Sequence, residues 1–514
     1  MSELSVPQSF SKMKLNLKVN DLTVLILLGL AGVILHTLAN GQYGFHRDEL
    51  DILMNARQLD WGYVAYPPVT PFLARLGLEL FGPSLMGARF PVALAQGVAM
   101  VLVGLMARDM GGGRRAQIIA ALAAAIAPIA LISGTLMQYM SFDYLWWVLV
   151  AFFTVRLLKT DDPRWWLGIG TGIGLGMLTK YTMIFFAAGL VAGTLLTPAR
   201  RYLRSPWLWA GVGLALLIFL PNLVWQIRHN FISLDFLSAI HARDIAWGRA
   251  EDFWPKQIYA TANPFTLPLW LAGLIFCLFA KGGQQFRLLG WMYLVTLALL
   301  WLGKGRYYYV GPAYAMLLAA GAVWLESWAA TLTQTKARLV YGLAWSLLAL
   351  GAVIGAVTSK PIAPLNSPLW EVVSSINNEF TEMVGWPDLA AQVAEIYNGL
   401  PAEDKPGTVI LAGNYGEAGA FDLYGPAYGL PPAISGTNSL WARGYGDTAP
   451  QTVIVVGFDR QQANRFFKSC EAKGIVRNQY GVKNEESSNH TAIYVCRQPR
   501  QPWAKMWPGM QWFQ

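Results

Sequence analysis

Residues 21–68 read DLTVLILLGLAGVILHTLANGQYGFHRDELDILMNARQLDWGYVAYPP. Positions 21–39 are almost wholly apolar, and a helix of roughly 20 such residues spans the hydrocarbon core of a bilayer. Beyond it, His46-Arg47-Asp48-Glu49 sets two adjacent carboxylates beside a cation at the membrane surface, where burial without partners is costly. Leu50, Leu53 and Met54 then share one helical face and Asp51, Asn55 and Gln58 another, with Arg57 interrupting the apolar stripe. Trp61-Gly62-Tyr63-Val64-Ala65-Tyr66-Pro67-Pro68 cannot continue that helix and carries aromatics suited to the headgroup layer. A span followed by a charged juxtamembrane helix predicts a polytopic α-helical membrane protein with its chemistry at one membrane surface. The plainer reading of the same charges is a solvated loop that snorkels at the headgroups.

The rest of the 514 residues fits that frame. Hydrophobic residues make up 54% and charged residues 13%, against about 45–50% and about 25% in soluble domains. Disorder is excluded, and a soluble enzyme is disfavoured. The 22 tryptophans, 21 tyrosines and 24 phenylalanines suit long lipid interfaces. Candidate spans are 21–39, 88–107, 116–134, 141–157, 165–178, 183–198, 207–226, 264–280, 286–302, 310–327 and 338–358, about eleven transmembrane helices. A signal peptide over 12–39 is disfavoured, because the apolar run is too long and more spans follow.

Alternate short loops carry Lys12, Lys14 and Lys18; Arg108, Arg114 and Arg115; Arg156, Lys159 and Arg164; Arg200, Arg201 and Arg204; Lys281 and Arg287; and Lys336 and Arg338. The positive-inside tendency places these, with the N-terminus, in the cytoplasm. The net charge of +9 is thereby read as loops and an anionic ligand, with no nucleic acid. An odd span count puts the C-terminal part outside.

The chain divides at Ser359-Lys360-Pro361, followed by Pro364 and Pro368. Residues 1–359 form the transmembrane module, with long exterior loops at 40–87 and 227–263, and 360–514 a mixed exterior domain. Thr408-Val409-Ile410-Leu411-Ala412 and Thr452-Val453-Ile454-Val455-Val456-Gly457 read as strands covered on both faces, with helical stretches at 386–399 and 460–473. A small α/β sandwich is expected there. Cys470 and Cys496 are candidates for pairing in it.

Further polar groups fall at the outward ends of the spans. Asp143, in Met140-Ser141-Phe142-Asp143, is either a first-turn charge or part of a site shared with Asp48. Thr179-Lys180-Tyr181-Thr182 is so short a connection that Lys180 stays near the membrane, snorkelling or gripping a phosphate. Lys304-Gly305-Arg306-Tyr307-Tyr308-Tyr309 opposes the positive-inside tendency, and a lipid phosphate explains it simply. The loop from Arg228 to Lys256 mixes His229, His241, Arg243, Asp244, Trp247, Arg249, Glu251, Asp252 and Trp254, without compact metal-ligand spacing. No phosphate loop or nucleophile elbow occurs. Gly-x-Gly pieces within 168–176 lie in an apolar span and are read as close helix packing.

This ordered set resembles the bacterial GT-C membrane glycosyltransferases of family 39 and the lipid A sugar-transferase group, relatives of the protein O-mannosyltransferases. It comprises the acidic pair with its W-G-Y…P-P turn, Asp143, Thr179 to Thr182, Asn263-Pro264-Phe265-Thr266-Leu267-Pro268-Leu269-Trp270, Gly305 to Tyr309, and Gly413-Asn414-Tyr415-Gly416-Glu417-Ala418-Gly419-Ala420. The resemblance implies a GT-C fold in the bacterial inner membrane, with the C-terminal α/β domain periplasmic. It implies inverting transfer of a sugar from a polyprenyl-phosphate donor to an envelope glycolipid, glycan or protein. Asp48 would be the general base. Lys180, Lys304 and Arg306 would hold the donor phosphate, whose departure needs positive charge. Glu49 and Asp143 would orient Asp48 or the acceptor, or hold a divalent ion, since some relatives use a metal and others do not. Arg47 would keep Asp48 ionised, and Tyr307 would support the phosphate site. The runner-up is a transporter or flippase of lipid-linked sugars, and a third reading is a polymerase or ligase of surface polysaccharide. No sequence repeat of the kind common in transporters is evident.

Overall fold

A computed structural model describes residues 20–446 and 449–514. Lys12, Lys14 and Lys18 lie outside the described residues. The chain opens with α1 (Asp21–Ala39), α2 (Arg47–Arg57), α3 (Val69–Phe81), α4 (Leu85–Asp109), α5 (Arg114–Ala125), α6 (Pro128–Ser133), α7 (Tyr139–Thr160), α8 (Trp165–Met177), α9 (Met183–Leu196), α10 (Pro206–Arg228) and α11 (Ile232–Ala246). Long helices follow at Leu267–Phe279, Arg287–Leu302, Tyr314–Ala329 and Gln334–Ser359.

Among the described residues, seven helices are long and apolar enough to cross a membrane, and two bent pairs raise that to nine. Sequence counting reached about eleven because it also took 116–134 and 165–178 as spans. The first is broken into α5 and α6 by Pro128, and the second is α8, only 13 residues long. The helices pack through small residues. A Cβ on Gly170 of α8 would collide with the Gly211 carbonyl oxygen of α10, so the glycine-rich run serves close packing, as its sequence context predicts. On α1, Leu27, Ile34, Leu35 and Leu38 remain exposed, a face suited to lipid.

The segment after α1 is held by α2. Its start is capped reciprocally: the His46 ring accepts from the Asp48 amide at 3.2 Å, and the Glu49 carboxylate accepts from the His46 amide at 2.8 Å. The other side of α2 lies on the helix Tyr415–Tyr424, so closely that a Cβ on Gly419 would sit 2.7 Å from the Leu50 Cβ. The juxtamembrane helix and the C-terminal region therefore share one apolar core, with Leu50, Leu53, Ala418 and Phe421 in it.

That region contains a five-stranded sheet in the order β2-β1-β3-β5-β4, with β1 (Val409–Ala412), β2 (Ala433–Ser435), β3 (Thr452–Val456), β4 (Phe467–Ile475) and β5 (Ala492–Pro499). β1 runs parallel to β2 and β3, while β5 is antiparallel to β3 and β4. Alternate residues of the apolar strands feed opposite cores. Ile410, Ile454 and Val456 face the helix Tyr415–Tyr424 and α2, whereas Leu411, Val453 and Val455 pack with Trp503 and Trp507. The expected helix at 386–399 is Trp386–Asn398. The one expected at 460–473 stops at Phe466, and the chain turns into β4, where the disulfide between Cys470 and Cys496 joins it to β5.

Candidate active site

A cavity of about 570 Å³ opens where α2, the connection between α8 and α9, α11, the loop after Leu302 and the helix Tyr415–Tyr424 meet. Asp48 stands on one wall, in the first turn of α2. Its side chain is 31% exposed. One carboxylate oxygen accepts from the Tyr415 hydroxyl at 2.7 Å, and the other from the Gln138 amide at 2.9 Å. Asp51, one turn further on, also borders the cavity. It accepts from the Tyr66 hydroxyl, and burial pushes its carboxyl up to about 6.

Four cations line the cavity with Asp48: Lys180, Arg243, Lys304 and Arg306. Lys180 projects from the short α8–α9 connection into a cage of rings, its Nζ 4.1 Å from the centroid of Tyr309, 5.0 Å from Tyr139 and 5.2 Å from Tyr308. No carboxylate lies within 4.0 Å of its nitrogen among the described residues. Arg306 makes a forked pair with Asp244 of α11, at 2.6 and 3.1 Å, and donates to the Tyr308 hydroxyl at 3.0 Å. Lys304, with a positive φ of 50°, turns the loop and stays exposed at the mouth. Ile184, Phe185, Leu299 and Leu300 continue the cavity as an apolar wall. The arrangement can receive an anion that carries an apolar tail and set it opposite a hydrogen-bonded carboxylate.

Four residues singled out in the sequence do not line the cavity. Glu49 is fully buried against the equally buried Arg89, whose Nε and Nη2 bond its two oxygens at 2.9 and 2.6 Å. The Met137 amide donates to it as well, at 2.7 Å. Arg89 holds its carboxyl below the usual range despite the burial, which alone would raise it. This carboxylate anchors α2 and does not line the cavity. Arg47 points away from Asp48, toward Glu485, Glu486 at 3.5 Å and Glu382 at 3.8 Å, so it is not the cation that attends Asp48. Asp143 is buried behind the wall, accepting from Trp147 at 3.0 Å and Thr182 at 3.5 Å. Tyr307 lies off the cavity, its carbonyl oxygen accepting from Gln257 at 2.8 Å. Asp48, Glu49 and Asp143 do not converge, and no group of three or more potential metal ligands occurs among the described residues.

Sequence reasoning missed Arg89, although an arginine inside a candidate span signals a buried partner. It also missed Gln138 and the Tyr139 ring beside Lys180. Asp244 and Tyr415 stood within quoted stretches, but their pairing with Arg306 and Asp48 needs contacts across 62 and 367 residues.

Residues 65–225 match the family described as dolichyl-phosphate-mannose-protein mannosyltransferase. Over 208 residues the chain is 26% identical to the lipid A galacturonosyltransferase RgtD of Rhizobium johnstonii, covering 39% of this chain and 41% of that one. Over 333 residues it is 28% identical to undecaprenyl phosphate-alpha-4-amino-4-deoxy-L-arabinose arabinosyl transferase 1 of Pseudomonas fluorescens, covering 58% and 57%. The matches span about half the length of these curated relatives. ArnT from Cupriavidus metallidurans, solved bound to undecaprenyl phosphate, superposes with a TM-score of 0.56 at 17% identity, covering 92% of this chain and 98% of that one. Its apo form gives 0.58 at 15% identity, covering 93% and 98%. The chain thus has the GT-C fold, and its sequence is similar to the lipid A sugar transferases and, over residues 65–225, to the protein mannosyltransferases.

Proposed function

We propose that the protein is an inverting glycosyltransferase that moves a sugar from a polyprenyl-phosphate donor to an envelope acceptor at the outer face of a bacterial inner membrane. The carrying observation is the cavity itself: Asp48 faces Lys180, Lys304 and Arg306 across a space that continues into an apolar wall. The donor's prenyl chain lies along Ile184, Phe185, Leu299 and Leu300. Its phosphate meets Lys180 and Arg306, with Lys304 at the mouth, and Arg306 exchanges Asp244 for the phosphate. Asp48 takes the proton of the acceptor hydroxyl as that oxygen attacks the anomeric carbon opposite the phosphate. The leaving phosphate monoester is stabilised by positive charge and needs no proton donor. Tyr415 and Gln138 fix the carboxylate's aim. The names of the curated relatives favour undecaprenyl phosphate as carrier and a glycolipid such as lipid A as acceptor.

The proposed topology has eleven crossings: the seven long helices, the two bent pairs, α5 with α6, and α8. Residues 1–359 form the catalytic module and 360–514 a periplasmic domain.

Mass spectrometry of lipid extracts and envelope glycans tests this reading, comparing cells lacking the gene with cells carrying Asp48→Asn. Both are expected to lose one sugar mass from a defined envelope molecule and to accumulate the polyprenyl-phosphate sugar. An envelope defect in the deletion alone would instead favour a carrier of lipid-linked sugars, which needs the cations but no base.

A further inference from the structure

A second cavity, of about 400 Å³, lies at the sheet end nearest α2. β1 leads leftward to β2 and β3 rightward to the antiparallel pair, so the connections part between β1 and β3. The helix after β1 covers one face of the sheet and the helix Arg460–Phe466 after β3 the other. Such a parting opens a crevice beyond the carboxyl ends of the strands, the usual ligand position in open α/β sheets. The cavity is bordered there by Gly413, which follows β1, and Gly457, which follows β3.

The chemistry of this crevice is opposite to that of the first cavity. Glu417, Glu485 and Glu486 line it, against Arg465 on the wall and Arg47 behind. The Glu486 side chain is 2% exposed. Its Oε1 accepts from the Asn414 amide at 3.2 Å, while its Oε2, also buried, has no hydrogen-bond partner among the described residues. A buried carboxylate oxygen without a donor is costly, and an O–H or N–H from a ligand would satisfy it. Trp512 supplies an aromatic surface on the same wall.

The two cavities adjoin at three places. Asn414 lines the second and Tyr415 the first, and Gln514 lines both. Arg47 contacts the carboxylates of the second, and the next residue, Asp48, lines the first.

We propose that the second cavity binds a neutral or amino-bearing sugar unit of the acceptor, holding a hydroxyl of the same glycan toward Asp48. This rests on the transferase reading and assigns the acceptor's chemistry: a glycan whose recognised unit carries no phosphate, because Glu485 and Glu486 line the crevice and already engage the Arg47 guanidinium.

Saturation-transfer NMR on the full-length protein in detergent tests it, with methyl β-D-glucosaminide and glucose 6-phosphate as probes. The glucosaminide is expected to receive saturation and glucose 6-phosphate to fail to displace it. Glu486→Gln should weaken glucosaminide binding about tenfold, and Asn489→Ala, at an exposed residue that also lines this cavity, about threefold. No signal in the wild type, equal binding in both variants, or displacement by glucose 6-phosphate would overturn the proposal. Undecaprenyl phosphate binding, measured on the same samples, reports on the first cavity. Its loss with sugar binding intact would sink the donor reading and leave this site standing.

Discussion

Asp48 and Glu49 are neighbours in sequence and opposites in setting. Glu49 is closed in on every side: Arg89 forks onto it, two backbone amides complete its bonds, and neither partner sees solvent. Asp48 is partly open, held by the neutral donors Tyr415 and Gln138, and faces a cavity with cations across it. A forked buried pair fixes a helix but is closed to reaction. A carboxylate open on one side keeps oxygen lone pairs for a substrate proton. The difference teaches that adjacent carboxylates can be set apart by their partners, one closed into the wall and the other open to the cavity.

The comparison breaks most severely at Arg89. Arg89→Met leaves the Glu49 charge buried alone, at a cost of about 3–5 kcal/mol, so a collapse in yield and unfolding temperature is expected. An unfolding temperature equal to wild type would mean that the pair is not the anchor. Asp48→Asn should leave folding intact and lower transfer about a hundred- to ten-thousandfold, the range of a lost general base. Lys180→Gln keeps the fold and weakens undecaprenyl phosphate binding about ten- to a hundredfold, as the loss of a charged hydrogen bond dictates; isothermal titration in detergent checks it. Tyr415→Phe removes one donor from Asp48 and should slow transfer about fivefold, corresponding to about 1 kcal/mol. At Asp51 the effect is on stability and depends on pH. Burial raises its folded-state carboxyl to about 6, above the usual 3.8, so the folded protein takes up that proton first as pH falls. Its contribution therefore becomes more favourable as pH drops from above 6 toward 3.8, and Asp51→Asn should remove that gain. Unfolding temperatures of the two proteins at pH 7 and pH 5 decide it.

Much of this was legible in the sequence where a pattern is local. The apolar runs marked the helices, the α2 face was readable from Leu50, Leu53 and Met54, and the strands at 408–412 and 452–457 announced themselves by continuous apolar residues. What escaped depends on distance along the chain. No local pattern says that Arg89 rather than Arg47 pairs with Glu49, or that Tyr415 reaches Asp48. The helix expected through 473 failed for a related reason. Residues 467–473 have no strong strand pattern of their own, and pairing with β5 decides their conformation.

The most direct test of the account is sugar transfer in vitro by Asp48→Asn, from an undecaprenyl-phosphate-linked sugar to extracted envelope lipid. The variant is first matched to wild type in unfolding temperature and undecaprenyl phosphate affinity. The account predicts that both match while transfer falls at least about a hundredfold. Transfer at the wild-type rate by that matched protein would contradict it, and Asp48 would then be one more wall residue like Glu49.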